Sequence, residues 1–282
     1  MQIICVDNLS KAYNGRKVID NVSFCVNQGE VFGLLGPSGA GKTTIINILI
    51  GLVENDGGTV SVLKCTPQKY DDSVYSSFGV LLDNDGLYER LSCFDNLDLF
   101  ARIYNIPLRK SKIDELLEKV GLQDSKKKKV SDLSKGMRQR LAFARSILHS
   151  PKIVFLDEPT SGLDPNSAQQ IHLLIKQICS AGTTVFLTTH NMAEAQQLCD
   201  HIVMIDRGNV IESGTPNEIR MKHRKGKVAK IELDNGKILS VPFDKLSFFF
   251  ANTNDYNIIN SIHSNEPSIE EIFISLTGRD LN

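Results

Sequence analysis

Nine residues, Gly36-Pro37-Ser38-Gly39-Ala40-Gly41-Lys42-Thr43-Thr44, constrain this chain more than any other stretch. They join an apolar run, Val31-Phe32-Gly33-Leu34-Leu35, to a run with helical spacing, Ile45, Ile48, Leu49 and Leu52. The letters fit G-x-x-x-x-G-K-[ST] in full, and strand, glycine-rich turn and helix is the context in which such a turn holds phosphate. Glycines at 36, 39 and 41 let the backbone wrap closely around an anion, so that successive N–H groups converge on it. The helix that follows adds its positive N-terminal end. Lys42 supplies a compact cation for the β- and γ-phosphates, and Thr43 a hydroxyl for the Mg²⁺ that bridges them. The loop by itself leaves the kind of nucleotide machine open.

The rest of the chain reads as α/β. Alternating apolar and polar residues with turn signals at Asn14-Gly15 and Gln28-Gly29 predict antiparallel strands around residues 3–6 and 18–26, with Tyr13 between them. A short strand is expected at 59–62. Residues 72–150 read as mostly helical, including a helix with a capping-box-like start at Ser111 and Asp114 and an apolar face of Ile113, Leu116, Leu117 and Val120. Lys126-Lys127-Lys128-Lys129 reads as a solvated surface run. A continuous apolar run at 153–156 is of the kind buried on both faces of a parallel sheet, 184–188 reads as a second buried strand, and the strand–helix alternation around them predicts such a core. Asp164-Pro165 opens one helix, and residues 192–198 form another. Past a basic stretch at 222–227 the pattern changes to a hairpin turning at Asn235-Gly236 and a final helix over 268–276. Two domains are expected, 1–225 and a small α+β appendage at 226–282.

Three further groups carry chemistry. The strand at 153–156 runs into Asp157-Glu158, where one carboxylate can serve the Mg²⁺ and the next can polarise a water. Leu133-Ser134-Lys135-Gly136-Met137 places a serine cap and a glycine at a helix start, a second anion site. Thr189-His190 closes the strand expected beside those that carry the phosphate loop and the acidic pair.

In this order, these residues resemble the nucleotide-binding subunit of ABC transporters, over Gln2 to about Arg220. The resemblance implies a P-loop NTPase core: a mixed sheet, an antiparallel β subdomain, and an inserted α-helical subdomain at about 72–150. It implies that Tyr13 stacks on adenine and that 36–44 is the Walker A loop, binding ATP through Gly36, Pro37, Ser38, Gly39, Ala40, Gly41, Lys42, Thr43 and Thr44. Residues 133–137 become the signature motif, 153–158 the Walker B strand, 161–164 the D-loop and His190 the switch histidine. Glu158, His190 and Lys42 are then the catalytic residues, with Thr43, Asp157 and Asp83 on Mg²⁺. In this family Ser134 and Gly136 of one subunit cover the ATP held by another, so a dimer sandwiching two ATP molecules, a homodimer, is implied.

Two positions depart from the family's letters. Lys135 and Met137 replace a glycine and the glutamine of LSGGQ, a variation that occurs among exporters. Asp83 stands where the family places a glutamine; it can still ligate a hard cation but, ionised, cannot donate a hydrogen bond. The ending Glu266-Pro267-Ser268-Ile269-Glu270-Glu271-Ile272-Phe273 resembles that of ATP-binding subunits of bacterial drug, bacteriocin-immunity and sodium exporters. The expected function is therefore ATP hydrolysis that energises export through a separate membrane permease. That places the chain at the cytoplasmic face of a bacterial membrane, with the permease docked near Leu87-Tyr88-Glu89-Arg90-Leu91. No apolar run approaches the ~20 residues of a spanning helix, and nothing at the start reads as a secretory leader. The alternative is a soluble ATPase of the same type acting on ribosome or nucleic acid. A formal net charge of −1 argues against that partner, which usually meets a basic surplus.

Overall fold

The computed structural model describes residues 1–82, 86–224, 228–252, 259–264 and 266–279. Asn14 and Gly15 both take positive φ, 50° and 76°, the backbone that a two-residue hairpin requires. They fold β1 (Gln2–Tyr13) onto β2 (Arg16–Asn27). Both strands are longer than their apolar patterns predict, because pairing continues to the turn itself at Tyr13 and Arg16. Strand β3 (Val31–Leu35), buried at every position, leads into the phosphate loop and helix α1 (Lys42–Leu49). Strand β4 (Gly57–Val62) pairs with β1 and completes an antiparallel sheet in the order β2-β1-β4.

The stretch at 72–150 is helical with one exception. It holds α2 (Asp72–Tyr75), β5 (Phe78–Leu81), α3 (Cys93–Ile103), α4 (Arg109–Lys119) and α5 (Lys135–Ile147). Four apolar residues are too few to show a period, so β5 cannot be separated from helix by pattern alone. Helix α4 starts two residues before Ser111. Its cap position is Leu108, at φ 50°, without a side-chain hydrogen bond, so the expected box at Ser111 and Asp114 does not form. Its expected apolar face, Ile113, Leu116, Leu117 and Val120, is buried.

Strand β6 (Ile153–Asp157), helix α6 (Pro165–Ser180), strand β7 (Thr184–Thr189), helix α7 (Met192–Leu198) and strands β8 (His201–Asp206) and β9 (Asn209–Gly214) follow. The central sheet runs β5-β6-β7-β3-β8-β9, and its pairs from β5 to β8 are parallel. Phe78, Phe155, Phe186 and Phe32 come one from each of β5, β6, β7 and β3, with neighbouring ring centroids 5.4, 5.8 and 5.2 Å apart. Phe24 of β2 stacks on Phe32 at 5.2 Å and ties the antiparallel sheet to the central one. Burying each such ring contributes about 2–3 kcal/mol. Together with Ile45, Ile46, Ile48 and Leu49 of α1 they form the main core.

The chain divides into two compact units, Met1–Ser213 and a second that begins at Gly214. The second holds α8 (Pro216–Lys222), β10 (Val228–Leu233), β11 (Ile238–Pro242), α9 (Leu246–Ala251), β12 (Ile259–Ser264) and α10 (Ile269–Thr277), with sheet order β11-β10-β12. Helix α8 belongs to this unit, where Arg220 pairs with Glu266 at 3.1 Å and donates to the Pro267 carbonyl at 3.2 Å. The division therefore falls before α8, ahead of the 225/226 boundary that the basic stretch suggests. Helix α10 carries a full capping box between Ser268 and Glu271 and ends at Gly278, φ 68°.

Candidate active site

The phosphate loop is glycine-built for steric reasons visible at two positions. A Cβ on Gly36 would lie 2.3 Å from the Ile205 carbonyl oxygen, and one on Gly41, at φ 108°, would lie 2.4 Å from Ile19 Cδ1. Lys42 opens α1 with its side chain 6% exposed. Its Nζ donates to the carbonyls of Gly36 at 2.6 Å and Pro37 at 3.2 Å and pairs with Glu158 Oε1 at 3.0 Å. The ammonium is thus held against the backbone of the loop.

The end of β6 supplies the carboxylates. Asp157 is buried and accepts from Thr43 Oγ1 at 2.8 Å and from Thr188 Oγ1. Glu158 turns out of the strand at φ 50°, a left-handed conformation that costs a non-glycine residue roughly 1–2 kcal/mol. Its N–H is held by β7, 3.1 Å from the Thr188 carbonyl and 3.2 Å from Thr188 Oγ1. In this conformation its carboxylate spans two partners: Oε1 faces Lys42, and Oε2 accepts from His190 Nδ1 at 2.7 Å and lies 3.4 Å from the His190 N–H. As the acceptor is a carboxylate, the His190 tautomer has its proton on Nδ1.

These groups open on one cavity of about 440 Å³, lined by Val18, Ser38, Gly39, Gly41, Lys42, Thr43, Thr44, Asp157, Glu158, Ser161 and His190. The structure thus brings together the phosphate loop, the acidic pair and the strand-end histidine. Tyr13, Ser134 and Gly136 do not line it. Tyr13 is exposed at the end of β1, with Lys11 Nζ 5.4 Å from its ring centroid. Ser134 caps α5, accepting from the Met137 N–H at 3.3 Å, and Gly136 is packed against Ser167 at the start of α6. Asp83 lies outside the described residues. The Thr43 hydroxyl beside the Asp157 carboxylate is a hard-oxygen donor set of the kind Mg²⁺ takes. Among the described residues no three His, Cys, Asp or Glu side chains form a metal cluster. Of the expected ligands, Thr43 and Asp157 are the described residues that would hold the ion.

Sequence reasoning missed Val18, Thr188 and the buried Glu194, and named Ser161 only as part of the 161–164 loop. For Thr188 a signal existed: it is one of two adjacent threonines ending an otherwise apolar buried strand. Glu194, 3% exposed, accepts hydrogen bonds from Thr160, His172 and Thr189 at 2.6, 2.9 and 2.6 Å. Burial alone would raise its carboxyl pKa, but those three donors outweigh the desolvation and hold it below the usual range.

A phosphate loop and an acidic strand end facing each other across a parallel sheet, with an antiparallel sheet and a helical insertion beside it, define an ATP-binding cassette. The chain belongs to the ABC transporter family, whose sequence profile matches residues 19–161, and it is an ATP-hydrolysing subunit. It is 37% identical over 271 residues to the fluoroquinolones export ATP-binding protein of Mycobacterium tuberculosis (strain CDC 1551 / Oshkosh), covering 93% of this chain and 88% of that one. It is 37% identical over 224 residues to the bacitracin transport ATP-binding protein of Bacillus licheniformis, covering 79% and 73%. Among solved structures it resembles the dimeric post-hydrolysis state of an ATP-binding cassette bound to ADP and Pi. That match has a TM-score of 0.68 and 26% identity, over 75% of this chain and 98% of that one. Among the described residues no helix is long and apolar enough to cross a membrane.

Proposed function

We propose that the chain hydrolyses ATP as one half of a two-subunit sandwich and passes the resulting motion to a separate membrane permease that exports its substrate. One observation carries the chemistry: the Glu158 carboxylate is held at the mouth of the phosphate loop between Lys42 and His190. From there it accepts a proton from a water aimed at the γ-phosphate, and its left-handed backbone fixes the direction of that attack. Lys42 and the loop N–H groups bind the β- and γ-phosphates and take up charge as it develops. His190, hydrogen-bonded to Glu158 through Nδ1, lines the same cavity, which leaves Nε2 for the phosphate side of the reaction. Thr43 and Asp157 would hold Mg²⁺, which when bound neutralises phosphate charge.

Ser134 and Gly136 are placed away from this cavity, so a second copy is the natural source of the groups that cover the γ-phosphate. The relatives named for fluoroquinolones export and for bacitracin transport support an exporting permease as partner and a position at the cytoplasmic face of the membrane. An apolar recess of about 390 Å³ offers a place for a permease segment, with Leu52, Tyr75, Phe78, Phe100 and Tyr104 among its walls. Arg145, also on that wall, donates to the Gly86 carbonyl at 2.7 Å, which sets the recess beside the segment expected to meet the permease. The comparisons give no support to a ribosome or nucleic-acid partner.

The test pairs two measurements. Glu158→Gln should bind ATP, hydrolyse little of it and run as a stable dimer in light scattering with ATP and Mg²⁺. The parent chain should be retained on membranes containing its permease. A Glu158→Gln variant that turns over normally would exclude the base assignment; RNA-stimulated turnover without membrane retention would exclude the transport reading.

A further inference from the structure

We infer that the buried carboxylate of Glu194 is a positioning residue for ATP hydrolysis, tying the loop that follows Glu158 to the strand end that carries His190. The inference rests on the assignment of Glu158 and His190 proposed above. Glu194 does not line the nucleotide cavity, so it touches neither phosphate nor water and can act only through its neighbours.

Those neighbours come from three elements. Oε1 accepts from Thr160 Oγ1, two residues past Glu158, and from His172 Nε2 on α6. Oε2 accepts from Thr189 Oγ1, the residue before His190. The Thr189 hydroxyl in turn accepts the Asn191 N–H at 2.9 Å, and Asn191 Oδ1 accepts the Glu194 N–H at 3.1 Å, capping α7. Both backbones that flank the Glu158–His190 hydrogen bond are therefore anchored to one side chain. The loop has a further tie on its other side, where Gln139 Nε2 of α5 donates to the Pro159 carbonyl at 2.8 Å. A carboxylate is the one side-chain group that can accept all three bonds at once, since it presents only acceptor sites. This also fixes the His172 tautomer, with Nε2 carrying the proton. Any buried carboxylate needs donors, but two of these three, Thr160 and Thr189, stand within two residues of Glu158 and His190, and the third, His172, holds the same carboxylate from α6.

Glutamine at 194 would keep the shape and lose this capacity. In one orientation its NH₂ meets the two donors Thr160 and His172; in the other it meets a Thr189 hydroxyl that already accepts a backbone N–H. The full-length chain is assayed as parent, Glu194→Gln, Thr160→Val and the double variant. The readouts are kcat and KM for ATP with Mg²⁺, equilibrium binding of a fluorescent ADP analogue, and melting temperature. The expected result is a kcat about tenfold lower in Glu194→Gln, with KM and ADP-analogue affinity within about twofold of the parent. Thr160→Val should lose about threefold in kcat, and the double variant should be no worse than Glu194→Gln, because both act through one network. A folded Glu194→Gln variant with kcat within about twofold of the parent, or one whose KM rises while kcat holds, would overturn the inference. If Glu194→Gln does not fold, Thr160→Val decides: an unchanged kcat overturns it. Glu158→Gln and His190→Ala run alongside. Retained turnover in those two would defeat the site assignment itself, whereas their loss of turnover with an active Glu194→Gln would defeat only the inference.

Discussion

The carboxylate of Glu158 lies 3.0 Å from the ammonium of Lys42, so the proposed base and the phosphate-binding cation are partners of each other. An incoming γ-phosphate competes with that carboxylate for the same ammonium, and binding must loosen the pair that hydrolysis uses.

Glu158→Gln is accordingly expected to separate the two roles. ATP affinity should equal or exceed that of the parent, because a neutral amide competes poorly for Lys42. Turnover should fall by about 10²–10⁴, the range for loss of a general base. Equilibrium ATP titration and steady-state phosphate release check both; weaker binding would show that the Lys42–Glu158 pair helps rather than competes.

Thr188→Val removes a hydroxyl that donates to Asp157 and faces the Glu158 N–H. The Mg²⁺ concentration for half-maximal activity should rise about tenfold, as when partners behind a metal ligand are lost. Folding stability should drop by about 1–3 kcal/mol for the buried acceptor left unpaired. A Mg²⁺ titration of ATPase activity and denaturant melts measure the two effects.

Gly136→Ala would drive a methyl to 2.3 Å from Ser167 Oγ, which donates to Asp164 Oδ2 at 2.7 Å. Overpacking of this kind costs about 1–3 kcal/mol. The melting temperature of Gly136→Ala should fall, and since the Ser167 Cβ would also lie 2.8 Å from the new methyl, only Ser167→Gly makes room and should recover part of the loss. A double variant as unstable as the single one would show that the clash is not the cause.

His149 should make stability fall in mild acid. Its Nε2 faces the Phe78 carbonyl at 2.8 Å, its ring stacks on Tyr104 at 4.0 Å, and Nδ1 is buried with no partner among the described residues. Burial pushes its pKa below the ordinary 6.5, only partly opposed by the Phe78 carbonyl. In the window from 6.5 down to that depressed value the unfolded chain binds the extra proton, so stability present above the window is lost as pH falls through it. Melting temperatures from pH 7 to pH 5 should fall more steeply for the parent than for His149→Gln. Parallel curves would count against this origin.

Much of the frame was readable from local pattern. The unbroken apolar run 153–156 and the run 184–188, apolar between two threonines, became adjacent central strands; 192–198 became a helix with those bounds. The acidic pair and His190 were readable because each stands at the end of such a run. What escaped was either too short or too distant in sequence. Strand β5 offers four residues, below the length at which a period shows. Val18 reaches the cavity wall only because β2 passes the phosphate loop, a neighbourhood set by sheet packing. Glu194 finds Thr160 and His172 across 34 and 22 residues of chain, and no spacing rule connects a polar residue on one helix to hydroxyls on a loop and a strand.

The row of phenylalanine rings across β5, β6, β7 and β3 has a mechanical consequence. Rings packed edge-on, tilted and stacked in turn across four parallel strands act as a crossbar: a strand that slid along its neighbour would pull ring from ring. The tips of β3, β6 and β7, bearing Gly36, Glu158 and His190, are thereby kept level with one another. Work drawn from the nucleotide would then leave through the loops and helices mounted on this bar, the sheet serving as the fixed frame of the engine rather than as one of its moving parts.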